Sequence, residues 1–73
     1  MSIEDIEHAV EHPLFVDADF QSADPPKVLI LGPDRHGNVI ELVGTESGDD
    51  VIVFHAMTAR PLLLRLLDPK ERG

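Results

Sequence analysis

Three short apolar runs constrain this chain more than any other feature. They are Val28–Leu31 (VLIL), Val39–Val43 (VIELV) and Val51–Ala56 (VIVFHA), and the segments "DRHGN" and "TESGDD" fall between them. Runs of this length, rich in Val and Ile and bounded by turn residues, read as strands. Gly37 with Asn38, and Gly48 at the tip of the second segment, can take the positive φ that tight turns require. Turns this short join neighbouring strands antiparallel, so the runs predict a three-stranded meander. Glu41 interrupts the second strand and is expected to point to a less buried face.

The flanks read as helices. Ile3, Ile6 and Val10 fall on one helical face, which predicts a helix over residues 2–13. Ser2 suits the N-cap, with Asp5 three residues on as a weaker form of the usual capping glutamate. Early Glu and Asp residues complement the positive end of the helix dipole. Pro13 disfavours helical geometry at His12 and closes the helix. A second, short helix is expected over Leu62–Leu67, with Pro61 in its first turn and Pro69 ending it. Its Leu63, Leu66 and Leu67 form a stripe that can lie on the sheet. Between the first helix and the first strand, Leu14–Val16 reads as a short extended piece and "DADFQSADPP" as a loop closed by Pro25 and Pro26. The expected architecture is α+β: an N-terminal helix, a three-stranded antiparallel meander and a short C-terminal helix, in a single small domain over residues 1–73.

A chain of 73 residues has a small core, so pairing with another chain, including a homodimer, is a reasonable expectation. Cysteine is absent, which excludes disulfides and thiolate metal sites. The acidic start lacks the basic and apolar regions of a signal peptide. No apolar run approaches the roughly 20 residues needed to span a bilayer. A cytoplasmic protein with no membrane partner is therefore expected. The formal net charge is −8, unevenly placed. Residues 1–24 carry seven acids and no Lys or Arg, whereas residues 60–73 carry Arg60, Arg65, Lys70 and Arg72 against Asp68 and Glu71. Phosphate neutralisation supplies most nucleic-acid affinity, so only the C-terminal end of this chain can attract a phosphate backbone.

Two acidic features have a plain reading. "HAVEH", His8 to His12, matches the H-x-x-E-H spacing in which two histidines on one helix face grip zinc. That chemistry needs a third ligand and a large cleft, and Pro13 cuts this helix short. The pattern reads better as a solvated face on which His8 pairs with Glu4 or Glu11. The acids before residue 25 lack the spacing of a calcium loop and read as a solvating face or a docking surface for a basic partner.

The junction "VIVFHAMTARPLLLRLL", Val51 to Leu67, carries the chemistry. Strict alternation puts Ile52, Phe54 and Ala56 on one face and Val51, Val53, His55 and Met57 on the other. His55 then lies near the strand's end, and Arg60 follows at the start of the helix. The two can converge at the end of the sheet, where histidine can transfer a proton and arginine can hold a phosphate in its bidentate fork. Arg35 and His36, on the first turn, are candidates to join them. The structural alternative is that His55 satisfies a carbonyl and Arg60 pairs with an acid of the first helix.

From Val28 to Leu67, "VLILGPDRHGNVIELV" followed by an acidic turn and "VIVFHAMTARPLLLRLL" resembles the BrnT-type toxins of bacterial toxin–antitoxin pairs, within the RelE-like ribonuclease superfamily. The leading helix, "IEDIEHAVEHPLFV", sits where that family also has one. The resemblance implies a compact α+β fold, a cognate antitoxin as partner, and RNA cleavage without metal or other cofactor. Its implied catalytic residues are His55 and Arg60, with Arg35, Arg65 and Lys27 on the RNA. Met57 stands where many such chains have Arg, and "PLLLRLL" replaces a helix rich in Arg, Lys and Glu. Those departures, with the acidic charge, favour a second reading: a non-catalytic interaction module of the same fold, with an acidic docking surface and a leucine-rich helix facing another chain.

Overall fold

The computed structural model describes residues 1–21 and 24–68. In chain order it has a helix α1 (Ile3–Glu11), strands β1 (Phe15–Phe20), β2 (Lys27–Pro33), β3 (Val39–Ser47) and β4 (Asp50–Thr58), and a helix α2 (Pro61–Leu64) that tightens into a 3-10 turn over Arg65–Leu67. The strands form one antiparallel sheet in the order β1-β2-β3-β4. The class is α+β as expected, but the sheet has four strands where three were predicted. Pro69 and the rest of the tail lie outside the described residues.

The added strand is β1, in the segment that reads as an extended piece and a loop. Phe15 pairs with Leu31, Asp17 with Leu29 and Phe20 with Lys27, with an irregularity between Asp17 and Phe20. Strict alternation would send Phe15 and Phe20, five residues apart, to opposite faces. The irregularity returns both to one face, where they pack beside Leu29 and Leu31. As an edge strand, β1 tolerates acids facing water.

Ser2 caps α1: its Oγ accepts from the Asp5 amide at 3.3 Å and donates to Asp5 Oδ2 at 2.9 Å. The helix lays Ile6, Ala9 and Val10 against Val28, Ile30, Ile40 and Leu42. It reaches the sheet at Gly32, where a Cβ would lie 2.5 Å from the Ala9 carbonyl oxygen, so only glycine permits this approach. On the opposite face Leu63, Leu66 and Leu67 cover Leu29, Leu31 and Val43, as the leucine stripe predicts. No helix among the described residues is long and apolar enough to cross a membrane.

β4 departs from the predicted alternation. Val43 pairs with His55 but Gly44 pairs with Val53, so Phe54 is an extra residue in a β-bulge. A Cβ on Gly44 would meet the Ile52 carbonyl at 2.3 Å, which is why the bulge faces a glycine. The bulge shifts the phase of the strand. Val53 and Ala56 both pack on the α1 side, while His55 and Met57 oppose Val43 and Glu41 on the other.

Candidate functional site

Glu41 is the chemical centre of the second face. It was expected on a less buried side, yet it is fully buried, because Val39 and Val43 share its face and that face is covered by the C-terminal helix. Every lone pair it uses is met by a residue of the His55–Arg60 junction. The Arg60 amide and Nε donate to Oε1 at 3.0 and 2.9 Å, and Arg60 Nη2 donates to Oε2 at 2.9 Å. His55 Nε2 lies 3.1 Å from Oε2. An ionised carboxylate only accepts, so the imidazole donates from Nε2, and in the neutral ring the lone pair is on Nδ1.

The local chain explains this convergence. The Ala59 amide donates to the Val39 carbonyl at 3.1 Å, which carries β4 past its last rung and holds Ala59 buried. Arg60 remains extended, at φ −73° and ψ 148°, as the residue before Pro61 should. That geometry turns its amide and side chain back onto β3. The alternative pairing of Arg60 with an acid of the first helix is not what forms.

Electrostatics favour the ionised carboxylate. Burial pushes the Glu41 carboxyl up, but the Arg60 side chain, the Arg60 amide and His55 together outweigh it and hold the group below its ordinary value. The same hydrogen bond raises the Arg60 guanidinium further above its already high value. Glu41 has no exposed side-chain surface, whereas His55 and Arg60 are 40% and 57% exposed, so the cluster is a buried anchor with two solvent-facing heads. Of the five guanidinium N–H groups, two are spent on Glu41. The remaining edge makes no bond to the described residues.

Of the predicted site residues, the structure brings together His55 and Arg60. Arg35 lies at the same end of the sheet but over its other face. Its amide and Nε donate to Asp5 Oδ1 at 3.1 and 2.9 Å, and its Nη2 to Ser2 Oγ at 3.3 Å. Lys27 is four residues along β2 from Leu31, the partner of Glu41, and therefore about 13 Å from it at the usual strand rise. Arg65 is exposed in the final 3-10 turn. His36 donates its amide to Asp34 Oδ1 within the turn. The histidine rings of "HAVEH" lie tilted at 44° with centroids 4.6 Å apart, and His8 Nδ1 donates to the Pro33 carbonyl at 2.9 Å rather than to Glu4 or Glu11. No cluster among the described residues has the ligands for a metal ion.

Sequence reasoning missed Glu41. A signal for it was present: in "VIELV" both parities are apolar, so an acid there has no polar side to turn to and needs a partner indoors.

No family model matches the chain, and no curated protein or solved structure matches it.

Proposed function

We propose that the chain is a toxin-like, metal-independent ribonuclease of the BrnT and RelE-like kind, with Glu41, His55 and Arg60 as its site. One observation carries this reading: a single buried carboxylate orients an imidazole and a guanidinium side by side at the surface. With Nε2–H tied to Glu41, the Nδ1 lone pair of His55 is free to take the 2′-hydroxyl proton. The 2′-oxygen then attacks phosphorus, the bond to the 5′-oxygen breaks, that oxygen leaves as a hydroxyl with a proton taken from solvent, and a 2′,3′-cyclic phosphate forms. The uncommitted edge of Arg60 faces the charge that develops on the phosphoryl oxygens. Glu41 acts here as the carboxylate does in other carboxylate–histidine pairs: it selects the tautomer and stabilises the imidazolium, while remaining ionised itself. Of the three site residues, Arg60 opens the C-terminal stretch, residues 60–73, in which basic residues outnumber acids.

The test uses purified chain and a short single-stranded RNA beside the same oligomer carrying a 2′-deoxy sugar. Cleavage of the RNA alone, ending in 2′,3′-cyclic phosphate, is expected. His55→Ala should lower the rate by about 10²–10⁴-fold, the usual contribution of a general base, with an unchanged circular dichroism spectrum. Arg60→Lys, which keeps charge but loses the fork, should also slow the reaction. Intact RNA with folded wild-type chain, or a His55→Ala variant as active as wild type, overturns the reading.

A further inference from the structure

On the α1 side the sheet is only partly covered. Four strands at the usual spacing of about 4.8 Å place β1 and β4 about 14 Å apart, whereas one helix is about 10 Å across. α1 packs over β2 and β3, with its closest approach at Gly32. Beside it, above β4, runs a groove of about 400 Å³. Its floor is Ile6 and Val10 from the helix with Val51 and Val53 from β4, all half-buried. Acids border it, Glu7 and Glu11 on the helix and Asp49 and Asp50 where the β3–β4 turn enters β4, with no basic residue among the lining groups.

We infer that this groove docks a basic amphipathic helix from a partner protein, laid beside α1 over β4. The floor supplies what an apolar stripe needs, and the acids along α1 and at the β3–β4 turn match cations beside that stripe. A second helix there would complete the layer that α1 begins. Charge argues against a second copy of this chain, which carries −8 overall. The proposal is independent of the ribonuclease reading, because none of its residues belongs to the Glu41 cluster and the groove lies on the other face.

The probe is a synthetic helix of about fifteen residues, with a leucine stripe and lysine flanks, titrated into the full chain by fluorescence anisotropy at physiological salt. A second peptide has the same composition scrambled. Two double variants of equal charge are compared: Glu7→Lys with Asp50→Lys in the groove, and Asp19→Lys with Asp24→Lys at the opposite edge of the sheet. The groove variant should lose roughly tenfold or more in affinity and the distant variant under about threefold, while the scrambled peptide binds at least roughly tenfold more weakly. Equal losses in the two variants would reduce the attraction to net charge and overturn the proposal. Equal binding of the scrambled peptide would show that the apolar floor plays no part, and would overturn it as well. A dimer of the chain alone, seen in sedimentation and abolished in the groove variant, would assign the groove to a second copy instead.

Discussion

Two arginine–carboxylate pairs in this molecule are built alike and placed differently. In each, one carboxylate oxygen accepts from both the backbone amide and the Nε of the arginine: Arg35 on Asp5, and Arg60 on Glu41. The Asp5 pair joins the start of α1 to the β2–β3 turn, with side chains 16% and 50% exposed. The Glu41 pair joins β3 to the start of α2, its carboxylate has no exposed surface, and it adds the second Arg60 nitrogen and His55. The first is a surface clasp that water can replace. The second is a buried charge with no solvent contact of its own, balanced only by Arg60 and His55 among the described residues, so losing a partner leaves charge uncompensated. The same local motif thus fastens a helix in one place and builds a chemically poised cluster in the other.

That contrast is most directly broken by truncation. Glu41→Ala should lower unfolding stability by about 2–4 kcal/mol in urea titration, the cost of a cavity plus strands left without their tie. Asp5→Ala should give a clearly smaller shift of the same midpoint. Equal shifts would show that burial does not distinguish the two pairs.

A smaller effect separates them in acid. A carboxyl whose folded pKa lies below its unfolded one stabilises the fold fully above the unfolded value, and that contribution fades as pH falls through the folded value. Glu41 is held below its ordinary 4.5, with burial opposing and Arg60 and His55 prevailing. Asp5 is held well below its ordinary 3.8, chiefly by the Arg35 side chain and then by the Arg35 amide and Ser2. On acidification the Glu41 contribution therefore begins to fade first. Glu41→Gln should flatten the loss of stability that sets in below about pH 4.5, and Asp5→Asn only the loss that sets in lower, below about pH 3.8. Parallel acid profiles for wild type and Glu41→Gln would contradict the assignment.

Salt gives the finest distinction. At 1 M NaCl, where screening lengths fall to about 3 Å, the midpoint difference between wild type and Asp5→Ala should shrink, and that for Glu41→Ala should hold. Equal shrinkage would mean that solvent reaches the Glu41 cluster.

The central strands and both helices were legible in the sequence because their signals are local: apolar runs between turn residues, a capping serine, a proline in a first turn. The strand β4 was legible too, as the run Val51–Ala56, but its phase was not, and β1 was not read as a strand, for one physical reason. Both β1 and β4 break the two-residue period, between Asp17 and Phe20 and at Phe54, and each break depends on what the neighbouring strand presents. Pattern reading carries no term for a residue that is present but not counted by the ladder. The meeting of His55 and Arg60 was foreseen from their positions at a strand end and a helix start. What holds them there was not, because Glu41 was read by its polarity rather than by its neighbours. The separation of Arg35 and Lys27 from that site followed from register, which the sequence does not spell out.

The bulge at Phe54 gives β4 two phases, and the chain uses both. Up to Val53 the strand floors the groove beside α1; from His55 onward it serves the Glu41 cluster beneath the other layer. A single residue separates the two surfaces along the backbone, although they open on opposite sides of the molecule. Deleting Phe54 would not merely shorten a strand. It would slip one half of it against the other and turn either the groove floor or His55 through the sheet, so two surfaces that never touch are set by the same joint.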